Sequence, residues 1–288
     1  MKSKTSVLVV MAAAITFLLS SCAEALDWPE APFYTFAEGD TTTDYPIDRQ
    51  AAMEAIAGHY AHYDIVSYED SSTKTPMRTL VISYGFTDFY IQDGKLYLRD
   101  RFCSAVQKIN QNNVFPTFGD AAVQAIIPED TEVELYFENG RWHVYRPETR
   151  TLLGIRGNPD LPLSQDSQDP AIIDADGDGK PGVTVELNIG NVIKGEIYIM
   201  RREISSVRMV LNPDGSLTGE VIDTSEQFVI DASLAILRQP SNAVQFGGAG
   251  MNPIILIPID ESIDTCDELM ALRDTLFPPE PDFVQPKR

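Results

Sequence analysis

The chain has few of the residues that most often carry catalysis. Of its 288 residues only three are histidine and three are cysteine. No G-x-S-x-G, P-loop or H-E-x-x-H pattern occurs. His59 and His62 are three positions apart, a spacing that puts two side chains on opposite faces of a strand and argues against a zinc pair. These absences favour a protein that is not an enzyme.

Basic residues are also scarce. The chain has 22 Lys and Arg against 43 Asp and Glu, a formal net charge of −21. This balance argues against binding to nucleic acid and against electrostatic docking on anionic lipid headgroups. With so many acids, some carboxylate pair is inevitable in any fold. An envelope hydrolase of glycans or lipids that uses such a pair is therefore the alternative to a non-catalytic protein.

A long apolar run occurs at the N-terminus. Lys2 and Lys4 precede the apolar residues 7–19, which form a stretch too short for a comfortable membrane span. The following Leu19-Ser20-Ser21-Cys22 resembles the lipobox of bacterial lipoproteins. That resemblance implies a signal peptide at 1–21 and a lipid-modified Cys22 as the mature N-terminus, which would anchor the protein to a membrane. Ala23 after the cysteine implies the outer membrane.

The two remaining cysteines are Cys103 and Cys266. An exported protein folds in an oxidising compartment, where paired cysteines form disulfides. We therefore expect a Cys103–Cys266 bridge that joins the first third of the chain to its end.

An acidic, glycine-rich stretch lies in the middle of the chain. Asp174, Asp176 and Asp178 stand at every second position, and Gly177 and Gly179 allow the tight turn that brings their oxygens together. Oxygen ligands converging on one point suit a hard cation. The pattern predicts a structural Ca²⁺ site with these three side chains and the backbone carbonyl of Lys180 as ligands.

This stretch resembles two kinds of calcium loop. Its first six positions are similar to an EF-hand loop, but Val185 stands where the bidentate acid belongs, which argues against an EF-hand. The D-x-D-G-D-G pattern is closer to the loops of FG-GAP and VCBS-type repeats, with Gly182 in place of the last Asp. The resemblance implies the ion, and a single copy does not imply the propeller fold. With one acid missing, we expect weak affinity, roughly 10⁻⁴ to 10⁻³ M.

Most of the remaining chain alternates in the manner of β-strands. Asp93-Gly94 and Asn139-Gly140 predict two-residue hairpins, and Asp48 predicts the start of a short helix. The pattern indicates an all-β protein, a single antiparallel barrel or closed sandwich of about ten strands with short flanking helices. The alternative is two small β domains separated near residues 158–170.

The predicted organisation after the signal peptide has four parts. Residues 22–49 form a tether, and residues 50–275 form the β domain. A Pro-, Asp- and Ser-rich linker at 158–170 joins its halves, 50–157 and 171–275. Residues 276–288 form a disordered tail.

The entry to the β domain resembles that of lipocalin-type (calycin) barrels. A short helix is followed by Gly58-x-Tyr60 at the start of a strand, with tyrosine in place of the usual tryptophan. The resemblance implies a carrier of a small apolar ligand, and an envelope protein is the other expected partner. The following aromatic residues are expected in the core or around a cavity: Tyr84, Phe86, Phe89, Tyr90, Tyr97 and Phe102.

Overall fold

The computed structural model describes residues 25–34, 48–72, 74–190 and 192–286. Its helices are α1 (Arg49–Ile56), α2 (Asp120–Gln124) and α3 (Cys266–Leu276), with a 3₁₀ turn at Ala235–Leu237. Its strands are β1 (Gly58–Asp70), β2 (Met77–Gln92), β3 (Lys95–Ile109), β4 (Val114–Phe118), β5 (Thr131–Glu132), β6 (Glu134–Glu138), β7 (Arg141–Leu153), β8 (Val183–Ile189), β9 (Ile193–Leu211), β10 (Leu217–Asp223), β11 (Glu226–Ala232), β12 (Val244–Gln245) and β13 (Pro253–Pro258). The all-β class is confirmed.

Local signals in the sequence set the ends of several elements. The Asp48 side chain accepts a hydrogen bond of 2.9 Å from the backbone N–H of Ala51 and caps α1. Asp93 and Gly94 both have positive φ, as a two-residue turn between β2 and β3 requires. Asn139 and Gly140 do the same between β6 and β7. Both predicted hairpins and the predicted helix start are confirmed.

The strands form one antiparallel sheet of thirteen strands among the described residues. Its main path runs β4-β8-β9-β10-β13-β1-β2-β3-β5. Off this path, β7 and β11 pair with β9, β6 pairs with β7, and β12 pairs with β1. β13 pairs with both β10 and β1, so strands from the two predicted halves alternate within the sheet.

The sheet curls into a half-barrel, and the predicted closed barrel or sandwich is not observed. Within the described ranges no ladder joins the two ends of the path, β4 and β5. The reason lies in β9, which is nineteen residues long. Its first part pairs with β8 and β11, and its last part pairs with β7 and β10. The sheet therefore branches at β9 and does not continue as a single ring.

Both faces of the central strands are covered. On the inner side, Met53 and Ile56 of α1 pack with strand residues such as Trp142 and Met209. On the outer side of β1 and β2, Phe277 and Phe283 lie in a second apolar cluster, together with residues of α3 and the segment 25–34. Burying this apolar area on both faces is the main favourable contribution to folding.

The C-terminal segment differs from the prediction of a disordered tail. Phe277 and Phe283 are each 7% exposed. Asp27 and Val284 exchange two backbone hydrogen bonds of 2.9 and 3.0 Å. Residues 277–284 are therefore packed on the outer face, because their aromatic side chains cover β-sheet surface that would otherwise meet water.

The predicted disulfide is confirmed. Cys103 of β3 and Cys266, the first residue of α3, are bonded with an S–S distance of 2.07 Å and a Cα–Cα distance of 5.2 Å. The Thr265 side chain caps α3 by accepting a hydrogen bond from the Glu268 N–H, and the Glu268 side chain accepts one from the Thr265 N–H. The bridge and the cap fix the start of α3 against the outer face of the sheet.

Candidate functional site: an interior cavity with buried charges

The concave side of the sheet encloses a cavity of about 780 Å³. Its lining shows the two-residue period of a strand, because His62, Asp64, Val66, Tyr68 and Asp70 of β1 all face it. A volume of this size lies within the range of pockets that hold small organic ligands, roughly 300 to 1,000 Å³.

Much of the cavity wall is apolar. Residues of ten strands contribute to the lining, and its apolar side chains include Val81, Phe102, Ala105, Ile199, Val221 and Val229. Of the aromatic residues expected in the core or around a cavity, Phe102 lines this space, whereas Tyr84, Phe86 and Phe89 are buried in the apolar clusters. The wall can accept an aliphatic or aromatic group with gain of hydrophobic free energy.

A buried acid and base cluster, the His62 cluster (His62, Asp64, Thr87 and Asp100), stands at the cavity surface. The His62 Nε2 lies 2.7 Å from Oδ2 of Asp64, and its Nδ1 lies 2.8 Å from Oγ1 of Thr87. The Thr87 hydroxyl donates a hydrogen bond of 2.6 Å to Asp100. The imidazole Nδ1 is also 3.6 Å from an Asp100 oxygen.

This arrangement favours a charged imidazole. Burial by itself lowers the pKa of His62, but the hydrogen bonds and negative charges of Asp100 and Asp64 outweigh burial and raise that pKa from 6.5 to about 9. For Asp100, burial acts to raise the pKa, yet the nearby imidazolium of His62 and the hydrogen bond from Thr87 hold the pKa below its ordinary value. At neutral pH the cluster therefore contains one imidazolium between two carboxylate side chains.

Arg146 of β7 also lines the cavity and is 7% exposed. Its Nη1 donates to the Ser205 carbonyl at 3.1 Å and to the Thr149 hydroxyl, and its Nη2 donates to the Ser205 hydroxyl at 2.9 Å. Its Nε has no hydrogen-bond partner in the described part of the chain. Burial lowers the pKa of Arg146, while Asp100 and Asp64 act in the opposite direction.

A second polar group, the Arg201 cluster (Tyr68, Arg201, Glu203, Asp223 and Ser225), lies on β1, β9, β10 and the turn that follows β10. Arg201 donates to the two carboxylate oxygens of Glu203 at 2.6 and 3.1 Å. The Ser225 hydroxyl is within hydrogen-bond distance of Glu203 at 3.1 Å and of Asp223 at 2.6 Å, and Tyr68 donates to Asp223 at 3.0 Å. Burial and the Glu203 charge raise the pKa of Asp223 above its ordinary value.

The cavity residues were not among the sites predicted from sequence. Arg146, Arg201 and Asp223 are far apart in the chain, and each stands alone among many charged residues. A signal is present on single strands, since His62 and Asp64, or Arg201 and Glu203, place ionisable groups two apart within a strand. Two charges on the same face of a long strand indicate a polar site on that face.

The predicted calcium-binding carboxylates come together. One oxygen from each of Asp174, Asp176 and Asp178 lies within 4.8 Å of the others. Asp174 accepts hydrogen bonds from the N–H groups of Gly177 at 2.7 Å and Gly179 at 2.8 Å. These contacts hold the turn in the form that the spacing of the three acids predicts.

Asp176 is the most shielded of the three acids. Its Oδ2 accepts a 2.8 Å hydrogen bond from the Thr184 N–H, and its Oδ1 is shielded from solvent and has no partner among the described residues. Burial raises the pKa of Asp176. Lys180, whose backbone carbonyl is the fourth predicted ligand, places its side-chain Nζ 2.7 Å from Glu196 and 3.5 Å from Oδ2 of Asp178.

The other residues considered from sequence are dispersed. His59 stacks on Phe86 and contacts Asp88 and the Ile263 carbonyl, on the face opposite His62, as their spacing predicts. His143 stacks on Tyr136 at a separate place. In the described ranges, the three loop aspartates are the one group of His, Cys, Asp or Glu with metal-binding spacing. Cys22 lies outside the described residues.

No family model, curated protein or solved structure matches this chain. Among the helices that the structure describes, none has both the length and the apolar character needed to cross a bilayer.

Proposed function

We propose that this chain is a lipid-anchored protein of the bacterial cell envelope whose interior cavity binds a small ligand with a large apolar part, without converting it chemically. The observation that carries the proposal is the cavity of about 780 Å³ with its apolar wall. Pockets of this kind, with a few convergent polar groups, are where small molecules usually bind. The helix and Gly58-x-Tyr60 entry that resembles calycins points to the same function.

The anchor rests on the sequence of residues 1–22. Charge, apolar run and the Leu19-Ser20-Ser21-Cys22 ending occur in the order of a lipoprotein signal. Acyl chains on Cys22 would hold the mature protein on the outer membrane without a spanning segment. Replacing Cys22 by Ser and following the protein between membrane and soluble fractions tests this part, with release into the soluble fraction expected.

The loop at residues 174–182 would serve as a structural calcium site within this protein. It lies between the predicted halves, since the Ile173 N–H donates to the Gly154 carbonyl at 3.0 Å and Gly182 packs on the Ile199 carbonyl. An ion here would neutralise part of the charge of three adjacent carboxylates and stiffen the connection between β7 and β8.

Ligand binding can be tested by filling the cavity. Ala105 of β3 lines it, and Ala105→Trp would place an indole where the ligand is expected. We expect this variant to lose binding of a neutral fluorescent probe such as N-phenyl-1-naphthylamine. The matched control is Ala249→Trp, at an exposed loop position, which should bind as the wild type does. Equal binding by both variants would place the ligand elsewhere.

One observation favours the hydrolase alternative. Glu203 and Asp223 share the Ser225 hydroxyl at the cavity surface, and the raised pKa of Asp223 is typical of a general acid beside an ionised partner. An enzyme of this kind would hydrolyse fluorogenic glycosides or esters, and Asp223→Asn would abolish that turnover while probe binding persists. Absence of turnover in the wild type across such substrates would leave the binding function.

A further inference from the structure

Three cationic side chains line the cavity, and two of them are already paired with carboxylates. His62 lies 2.7 Å from Asp64, and Arg201 lies 2.6 Å from Glu203. Arg146 has no carboxylate within 4.0 Å among the described residues. It is therefore the one cavity-lining cation in the described chain that lacks a direct anionic partner.

The surroundings of Arg146 are neutral but polar. Its two Nη atoms donate hydrogen bonds to the Ser205 carbonyl, the Ser205 hydroxyl and the Thr149 hydroxyl. Its Nε–H is buried and unpartnered. Buried charges are normally paired, because an isolated ion in a poorly solvated place is costly. The guanidinium is thus fixed in position, and of its five N–H groups the Nε–H and one Nη2–H make none of these hydrogen bonds.

The nearby acids do not supply the missing anion. Asp64 and Asp100 contribute favourable charge to Arg146 from a distance, yet both make their close contacts with His62 and Thr87. Glu203 is occupied by Arg201 in the same manner. A ligand anion would be the direct partner that the sheet itself does not provide.

We propose that the ligand is an amphiphile with a single carboxylate head, bound through Arg146, and an apolar tail that lies along the cavity wall. This inference rests on the proposed binding function and specifies the class of ligand. A guanidinium donates to planar carboxylates in a fixed geometry. The acids of the His62 and Arg201 clusters would repel a doubly charged head, such as a phosphate monoester, more strongly than a monoanion.

The test compares three ligands that share one dodecyl tail and differ in the head group. The purified, delipidated protein is titrated with dodecanoate, dodecan-1-ol and dodecyl phosphate by displacement of N-phenyl-1-naphthylamine. We expect dodecanoate to bind at least about tenfold more tightly than the alcohol and more tightly than the phosphate. Equal affinity for acid and alcohol would overturn the role of Arg146 and leave the cavity function intact. Failure of all three and of the probe would overturn the binding function itself.

Two variants and a control complete the test. In the Arg146→Gln variant, dodecanoate should bind only as tightly as the alcohol. The Arg146→Lys variant keeps the positive charge but loses the planar arrangement of N–H donors, so it should retain part of the preference for the acid. Arg208→Gln removes an exposed guanidinium of β9 that faces Tyr145 and should keep the full preference. If Arg146→Gln fails to fold, the ¹³C shift of carboxyl-labelled dodecanoate decides. The pKa of the bound dodecanoate carboxyl should be lower in the wild type than in the Arg146→Lys variant. Equal pKa values in the two complexes, or a higher one in the wild type, would contradict the proposal.

Discussion

The Nε2 atom of His62 lies 2.7 Å from Oδ2 of Asp64, two residues further along the same strand, and both side chains line the cavity. Because alternate residues of a strand share a face, this contact is local in sequence. Asp100, on β3, is the second carboxylate near His62, and it accepts a hydrogen bond from the Thr87 hydroxyl that also contacts the imidazole. A charged imidazole at the cavity surface follows from the two carboxylates of Asp64 and Asp100.

The stability of the protein should depend on pH through His62. Its pKa is about 9 in the folded protein against an ordinary value of 6.5. The folded state therefore holds the proton more tightly, and the contribution is complete below about pH 6.5 and lost as the pH rises through about 9. The difference corresponds to about 3 kcal/mol. Urea denaturation of the wild type between pH 6 and 9.5 should show this loss.

The His62→Gln variant should be less stable at pH 6 and should lack this part of the pH dependence. His143→Gln is the control, because His143 lies outside the His62 cluster, and it should keep the wild-type slope. A wild-type profile that is flat from pH 6.5 to 9.5 would contradict the imidazolium.

Loss of the disulfide should destabilise the fold strongly. Cys103 and Cys266 are 163 residues apart in sequence. The chain-entropy model gives roughly 5 kcal/mol for a loop of this length, and measured effects are usually smaller, about 2 to 4 kcal/mol. We expect the Cys103→Ser, Cys266→Ser double variant to unfold at lower urea than the oxidised wild type and at the same urea as the reduced wild type. Equal midpoints with and without reductant would show that the bridge contributes nothing.

Calcium should stabilise the protein through the acidic loop. With a dissociation constant of roughly 10⁻⁴ to 10⁻³ M, about 10 mM Ca²⁺ would add on the order of 2 kcal/mol to the free energy of unfolding. Asp176→Asn should remove both the calorimetric signal and the rise in melting temperature. Asp274→Asn, an acid whose side chain is 92% exposed on α3, should retain them. No heat with the wild type would remove the ion from this loop.

A methyl group at Gly219 should disrupt the pairing of β9 and β10. A Cβ there would overlap the Arg208 carbonyl oxygen and the Met209 Cα, and neither backbone atom can move without breaking the ladder. We expect Gly219→Ala to lower the free energy of unfolding by about 2 to 4 kcal/mol. Gly247→Ala is the matched control, since its Cβ would meet nothing within 4 Å and should change stability by less than about 0.5 kcal/mol. Similar stability for the two variants would contradict this close approach.

Features set by neighbouring residues could be predicted from the sequence. The turns at Asp93-Gly94 and Asn139-Gly140 and the Asp48 cap depend on local backbone preferences, and all three are present. The disulfide also followed, because two cysteines besides Cys22, in a chain expected to be exported, leave one intramolecular pairing.

The set of charged residues that lines the cavity could not be predicted, because it depends on contacts between distant strands. The apolar stretches at residues 195–200 and 206–211 are separated by charged residues, a pattern that by itself predicts two strands. They are one strand, β9, and Arg201 and Glu203 in the interruption face the cavity. Polarity that indicates a turn in an isolated sequence here marks the face of the strand that lines the cavity. β11 ends at Ala232, and the chain then continues into the 3₁₀ turn at Ala235–Leu237.

The covalent bridge has a consequence for cleavage of the chain. It links a residue before the connection at 158–170 to a residue after it, while β13, from beyond that connection, lies between β10 and β1. A protease that cuts once within 158–170 would therefore produce two pieces that remain interleaved and bonded. Such a nicked molecule would migrate as a single species until reductant and denaturant are both present, and it would keep its interior cavity in the meantime.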